Sequence, residues 1–179
     1  MLMTYHELLA LVEDGVIENV RPEHINAASI DITLGDIVLV EDQPSVCDLT
    51  RKESPRLRPL EREPDGSWLL HPGDFVLAST EQVFNLPHHV AAEYKLKSSL
   101  ARSGLQHLLA GWCDPGWHGA TLTLELINVT RGTSLRIRSG MPIGQMVFWS
   151  GQPVPQEASY AARGRYNGQR APQPSKGVV

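Results

Sequence analysis

The chain has 179 residues and a mass of 19.8 kDa, which suffices for one substantial core and is too short to predict two independent domains. Hydrophobic residues make up 41% and charged residues 20%, which is ordinary for a globular protein and does not favour a disordered or fibrous chain. The formal net charge of -4 argues against a protein that coats nucleic acid, because such binding depends on clustered Lys and Arg.

A helix is predicted near the N-terminus. Residues 4–13 place Leu8 and Leu11 at helical spacing, and Thr4 followed three positions later by Glu7 is the pattern of a capping box. An amphipathic helix is therefore expected before the first strands.

From Ser29 the pattern changes to alternation, with Ile30, Ile32 and Leu34 separated by polar residues and a second apolar run after Gly35. Further strands are predicted at 68–70, 74–78, 90–96, 120–128, 135–138 and 143–149. Turn signals separate them, so we expect a mainly β protein, an antiparallel sandwich or jelly-roll. Residues 1–150 are assigned to one domain, and the Pro- and Gly-rich segments 51–66 and 151–179 are expected outside regular structure, the latter as a flexible tail.

The segment KSSLAR at 97–102 follows an extended run and predicts a junction between a strand and a short helix. Ser98 or Ser99 is expected to cap the first free N–H groups, with Lys97 and Arg102 as charged donors beside them. Such a junction can bind phosphate, although a Ser-capped turn beside cations is also common on ordinary helical surfaces.

Glu125 is the unusual residue of the segment 122–126, since it is a carboxylate among strand-forming side chains, on the face opposite Leu124 and Leu126 and shared with Thr123. Periodicity alone favours a solvated residue on a wet strand face. The alternative is a carboxylate held in a pocket, where it would transfer protons near neutral pH.

Other candidates have strong structural explanations. Asp114-Pro115-Gly116 forms a favourable turn by itself, and Trp112 and Trp117 are typical packing residues. His107 is expected to be packed rather than metal-bound, because no second ligand stands at chelating spacing nearby.

Taken in order, five segments resemble the dCTP deaminase family: residues 97–102, 110–117, 123–125, 144–145 and 165–169. Segments 29–34 and 70–77 are similar to the first strand and the central hairpin of that family. The resemblance implies a distorted jelly-roll of the dUTPase-like superfamily, and a homotrimer with active sites between subunits. It further implies a Mg²⁺-bound triphosphate and a C-terminal tail that closes over the nucleotide.

By matching position, the resemblance makes Glu125 the proton donor and acceptor, with Ser98 and Arg102 holding the attacking water and the developing charge. It implies nucleotide contacts at Lys97, Ser99, Leu100, Ala101, Asp114, Thr123, Leu124, Gln145, Tyr160, Arg165 and Gln169. Asp114 would meet the deoxyribose. The zinc-deaminase signature of H-x-E and P-C-x-x-C is absent from the sequence, so deamination would use acid/base and electrostatic means without zinc.

The sequence departs from the family pattern at Leu96, Leu109 and Cys113, where members carry Gly, Thr and Ile, and at Arg165, where Lys is usual. The interval from Arg102 to Asp114 is one residue short, and that from Asp114 to Glu125 one residue long.

Gly111, Trp112 and the tail resemble members that form dUMP, which predicts conversion of dCTP to dUMP and diphosphate. The alternatives are a deaminase that releases dUTP and a trimeric dNTP-binding regulator that has lost turnover. A dUTPase or a purely structural jelly-roll fits the motifs less well.

Cys47 and Cys113 are too few for a disulfide framework or a four-Cys zinc site. The sequence begins without a basic and then apolar leader, and no apolar run is long enough to cross a bilayer. A cytoplasmic protein with no membrane or nucleic-acid partner is expected.

Overall fold

The computed structural model describes residues 1–51 and 53–177. Three helices lie in these residues: α1 (Tyr5–Glu13), α2 (Ser98–Arg102) and α3 (Tyr160–Arg163). The strands are β1 (Ile17–Glu18), β2 (Ile30–Glu41), β3 (Leu57–Pro59), β4 (Trp68–Leu70), β5 (Phe75–Thr80), β6 (Val83–Asn85), β7 (Val90–Leu96), β8 (Leu105–His107), β9 (Trp112–Cys113), β10 (His118–Ala120), β11 (Thr123–Asn128), β12 (Leu135–Ile137) and β13 (Pro142–Ser150). Short 3₁₀ turns occupy Pro22–His24 and Gln156–Ala158. The predicted mainly β, jelly-roll-type fold is confirmed.

The main sheet has the strand order β8-β11-β5-β2-β13-β7-β9, with β3 added to β2, and its pairs are antiparallel. The long strand β2 connects its two halves, pairing with β13 through residues 30–33 and with β5 through Leu34 and residues 38–40. A register shift in the β2–β5 pairing lies between Leu34 and Val38, and there a Cβ on Gly35 would lie 2.9 Å from the carbonyl oxygen of Ser79. Gly35 therefore lets the two strands approach where the sheet bends.

Alternation along β11 places one face in the core and the other beside the site. Leu124 and Leu126 are 0% exposed, whereas Thr123 and Glu125 on the opposite face are half-buried. Each fully buried Leu contributes about 1.5–3 kcal/mol to folding, so this strand is firmly registered.

Helix α1 covers one end of the core with Leu8 and Leu11. The predicted capping box is confirmed, since the Glu7 carboxylate accepts a hydrogen bond of 2.8 Å from the Thr4 backbone N–H. Among the described residues, no helix is long and apolar enough to cross a membrane.

The predicted strand 120–128 is wrong as one element, because it divides into β10 and β11. At the break, the Leu122 N–H donates to the Thr80 hydroxyl and the Thr121 N–H donates to the carbonyl of Gln169, so the ladder is interrupted by other partners. The expectation that segments 51–66 and 151–179 lack regular structure is also wrong, since β3 and α3 lie in them. Packing on β2 and on the Asp114 turn stabilises these short elements.

Candidate active site

A cavity of about 410 Å³ lies against the outward face of β11. Thr123 and Glu125 form part of its wall, and Trp112 and the C-terminal residues Tyr160 and Gln169 form another part. Its remaining lining is mostly apolar and comprises Pro55, Leu57, Phe75, Leu77, Ala110, Cys113, Trp117, Leu122, Tyr166, Gln173, Pro174 and Ser175. A carboxylate in an apolar, covered cavity is a typical setting for proton transfer.

The Glu125 side chain is 26% exposed, and its Oε2 atom is fully buried. This oxygen lies 3.4 Å from Nε2 of His107, whose side chain is 2% exposed. The sequence left open whether Glu125 is solvated on a strand face or held in a pocket, and the structure places it in the pocket wall.

His107 is oriented from both sides. Its Nδ1 accepts a hydrogen bond of 3.3 Å from the Leu109 N–H, and its Nε2 faces the Glu125 carboxylate without a hydrogen bond to it. The Tyr94 ring packs edge-on against the imidazole with centroids 4.7 Å apart. Leu109 adopts a left-handed φ of 62° to present its N–H. Packing of His107 matches the sequence expectation, but its position beside Glu125 was not predicted.

The loop that precedes β9 is held closely against β7. A Cβ on Gly111 would lie 2.7 Å from Cβ of Tyr94, and the Gly111 carbonyl accepts from the Tyr94 N–H. The predicted Asp114-Pro115-Gly116 turn is confirmed by the hydrogen bond from the Trp117 N–H to the Asp114 carbonyl.

Trp117 is buried and stacks on Phe84, as expected for a packing residue. The same expectation is wrong for Trp112, which is 56% exposed and lines the cavity. Burial, together with the charge of Asp114, raises the pKa of the Cys113 thiol far above its ordinary range.

The C-terminal segment lies across the cavity and is hydrogen-bonded to its rim. The Gln169 side-chain amide donates to the Thr121 carbonyl at 2.8 Å, and the Gln173 N–H donates to the Thr123 hydroxyl at 3.2 Å. The indole N–H of Trp117 donates to the carbonyl of Tyr166.

Tyr160 and Arg165 are both tail residues named from the sequence, but only Tyr160 lines the cavity. Burial raises the pKa of Tyr160, which lines the cavity. The Arg165 guanidinium instead donates to the carbonyl of Gly177, and it is not among the residues that line the cavity.

A second cavity, of about 390 Å³, adjoins the first, and Tyr160 lines both. Asp114 and Arg163 form its polar lining, with Pro115, Val154, Ala158 and Gly164. The sequence groups Arg163 with Arg165 and Arg170 as a basic cluster suited to phosphates, but Arg163 was not among the predicted nucleotide contacts.

The remaining predicted residues form a separate group. Lys97 is paired with Asp31 at 2.6 Å, and the Gln145 side-chain oxygen accepts from the Ser29 hydroxyl at 3.4 Å. Ser98, Ser99, Ala101 and Arg102 are exposed on α2, and none of residues 97–102 is among the described residues that line the Glu125 cavity.

Some sequence predictions for this group need correction. Lys97, not Ser98 or Ser99, is the N-cap of α2, and no side chain caps the helix, because the helix already begins at Ser98. Leu100 packs partly against the core, and the Leu124 side chain lies wholly within it. Leu124 as a whole is 0% exposed, so it offers no accessible atom to a ligand in this structure.

The fold is a curled antiparallel jelly-roll. Its cavity contains the Glu125 carboxylate and lies beneath the C-terminal segment, as in the pocket of an enzyme. A family model described as dCTP deaminase-like matches residues 2–151. The chain belongs to this family.

Two relatives named "dCTP deaminase, dUMP-forming" match nearly end to end. The protein from Bifidobacterium adolescentis is 37% identical over 186 residues, covering 100% of this chain and 95% of its own length. That from Thermobifida fusca is 38% identical over 187 residues, covering 100% and 94%. The crystal structure of 2'-deoxycytidine 5'-triphosphate deaminase from Agrobacterium tumefaciens shares the fold, with a TM-score of 0.65 at 16% identity over 89% of this chain. The chain spans about half, 51%, of that solved chain.

Proposed function

We propose that this protein hydrolytically deaminates dCTP and carries the product on to dUMP and diphosphate. The observation that carries the proposal is Glu125, a carboxylate with one buried oxygen in an apolar cavity covered by the C-terminal segment. Family membership and the relatives named "dCTP deaminase, dUMP-forming" support the substrate and the product.

In this reaction, water adds to C4 of cytosine while Glu125 takes a proton from it. Glu125 passes this proton to N3, then takes the second proton from the hydroxyl now on C4 and gives it to the amine, so that the C–N bond breaks, ammonia leaves and a uracil carbonyl remains. His107 Nε2 lies 3.4 Å from Glu125 Oε2 without a hydrogen bond to it, and the imidazole packs beside the carboxylate in the cavity wall. A second water then opens the bond between the α- and β-phosphates, which yields dUMP and diphosphate.

The exposed residues Ser98 and Arg102 do not line the cavity that contains Glu125. We propose that a neighbouring subunit of a homotrimer supplies them, together with Lys97 and Gln145, to stabilise the tetrahedral intermediate and the phosphates. The tail from residue 151 would act as a lid, with Gln169 already hydrogen-bonded at the rim of the cavity.

Mg²⁺ would reach the site with the triphosphate and neutralise part of its charge. Within the described residues, no group of three or more His, Cys, Asp or Glu side chains is arranged to hold a metal ion. We propose that phosphate oxygens and water hold this Mg²⁺, which is its usual coordination in nucleotide sites.

We also propose a cytoplasmic location. Cys47 and Cys113 are both free thiols, which suits a reducing compartment.

The direct test is incubation of the purified protein with Mg²⁺ and either dCTP or dUTP, following ammonia, dUTP, dUMP and diphosphate together. We expect ammonia and dUMP in equal amounts from dCTP. Accumulation of dUTP without diphosphate would instead identify a deaminase that stops at dUTP. Nucleotide binding without ammonia from any dNTP would refute the catalytic proposal and indicate a regulator.

Glu125→Gln should lower ammonia release by about 10²–10⁴-fold while dCTP still binds, because the amide keeps the shape but cannot accept the proton. Glu13→Gln on the exposed end of α1 is the matched control and should keep full activity. Unchanged turnover in Glu125→Gln would remove this residue from the mechanism.

Subunit sharing is tested by mixing Glu125→Gln with Arg102→Ala, each inactive alone, after dissociation and reassembly. Hybrid trimers should regain part of the activity, since some sites combine an intact Glu125 with an intact Arg102. Absence of recovery in reassembled trimers would place both residues in one subunit's site.

A further inference from the structure

Packing alone does not explain the contact between the Trp112 indole and the Asp114 carboxylate. Trp112 Nε1 donates a hydrogen bond of 2.9 Å to Asp114 Oδ1. Within residues 1–51 and 53–177, no donor is bound to the second oxygen, Oδ2. Because an indole N–H can only donate and a carboxylate can only accept, this bond fixes one oxygen of Asp114 and leaves the other free to accept.

Both ends of this hydrogen bond are held by the fold. Trp112 stands opposite Glu93 in the β7–β9 ladder, and its ring lies beside Trp149 with centroids 5.9 Å apart. The backbone of Asp114 is held by the turn in which its carbonyl accepts from the Trp117 N–H at 3.2 Å. The hydrogen bond from the Trp112 indole therefore fixes the orientation of the Asp114 carboxylate.

The contact lies at the border between the two cavities. Trp112 lines the cavity that contains Glu125, Asp114 lines the second cavity beside Arg163, and Tyr160 lines both. A nucleotide with its base at Glu125 and its phosphates toward a cation would bring its sugar to this border. In a 2'-deoxynucleoside triphosphate, the hydroxyl that remains on the sugar as a donor is the 3'-hydroxyl.

We propose that Trp112 is a positioning residue that aims Asp114 at the 3'-hydroxyl of the substrate, so that the enzyme selects nucleotides with that hydroxyl. This inference rests on the proposed function, because it takes the base to lie at Glu125. Trp112 acts through Asp114 and leaves the deamination chemistry unchanged.

The test compares dCTP with 2',3'-dideoxycytidine triphosphate in the wild type, in Trp112→Phe and in Trp149→Phe. Phe keeps an aromatic ring and removes the N–H, and Trp149→Phe is the matched control because it makes the same change in the neighbouring ring. For dCTP we expect Trp112→Phe to raise KM about tenfold with little change in kcat. For the dideoxynucleotide its KM should equal that of the wild type.

A loss of equal size for both nucleotides would overturn the proposal, because a purely structural role weakens them alike. No loss in Trp112→Phe, or a wild type that does not distinguish the two nucleotides, would overturn it as well. Asp114→Ala provides a second variant if Trp112→Phe folds poorly, and it should also lose the preference for dCTP, because it removes both carboxylate oxygens.

Calorimetric binding of both nucleotides to the wild type separates this inference from the proposed function. If the wild type releases no ammonia but binds dCTP more tightly than the dideoxynucleotide, and Trp112→Phe removes the difference, the deaminase proposal fails and the role of Trp112 stands. If neither nucleotide binds, both fail.

Discussion

Substitution of Gly144 by Ala is a sharp test of how β13 and β7 pack behind the site. A Cβ at this position would lie 2.1 Å from Cε2 and 2.4 Å from Oη of Tyr94. Ordinary contacts between carbon atoms are about 3.5–4.0 Å, so the Tyr94 ring must move. Tyr94 is 2% exposed and pairs with Met146 in the ladder, which leaves it little room to do so.

Overpacking of this kind costs about 1–3 kcal/mol, and we expect the free energy of unfolding of Gly144→Ala to fall by about 2–3 kcal/mol. With a urea m-value of about 2 kcal/mol/M, the unfolding midpoint should fall by about 1 M. Gly132→Ala is the control, because nothing lies within 4 Å of a Cβ at that position. Its midpoint should stay near that of the wild type.

Combination with Tyr94→Leu should restore part of the loss, because Leu lacks the ring atoms that clash. The double-mutant cycle should show a favourable coupling of at least about 1 kcal/mol. A midpoint for Gly144→Ala within about 0.2 M of the wild type, or additive effects in the cycle, would refute the packing argument.

The same substitution should reduce ammonia release at temperatures where the protein is folded. Tyr94 packs against His107, and His107 faces Glu125 at 3.4 Å, so a displaced ring disturbs the orientation of the carboxylate. Gly132→Ala should leave the activity unchanged. Full activity in folded Gly144→Ala would show that the Tyr94 contact does not orient the site.

Four further outcomes are expected. Cys113 should resist alkylation in the native protein at pH 8 while the half-buried Cys47 reacts, and mass spectrometry distinguishes the two. Burial raises the folded-state pKa of Cys113, so above about pH 8.5 this thiol ionises only in the unfolded chain. The free energy of unfolding should therefore decline as the pH rises past this value, and Cys113→Ala should reduce the decline. Glu7→Ala removes the acceptor for the Thr4 N–H and should lower the melting temperature by about 2–4 °C, measured by circular dichroism. Truncation after Gly164 uncovers the cavity and should weaken dCTP binding in calorimetry, and unchanged affinity would refute a lid function for the tail.

The sequence by itself determined the class of fold, the N-terminal helix and the principal turn. These features depend on local rules: alternation predicts strands, Thr4 with Glu7 predicts a capped helix, and Asp114-Pro115-Gly116 predicts a turn whatever surrounds it. Strand ends were less accurate where side chains and the tail replaced ladder partners, as at Thr121 and Leu122.

Only the tertiary structure decided the environment of Glu125. Alternation assigns this residue to a strand face but does not say what covers that face, and its cover includes Gln169 and Gln173, more than 40 positions later in the chain. The approach of His107 to the carboxylate likewise depends on the pairing of β8 with β11. Contacts between residues distant in sequence leave no local periodic signal, so the pocket and the buried oxygen of Glu125 became visible only in the folded chain. The indole bond joins residues only two positions apart, but it depends on side-chain orientations that periodicity does not specify.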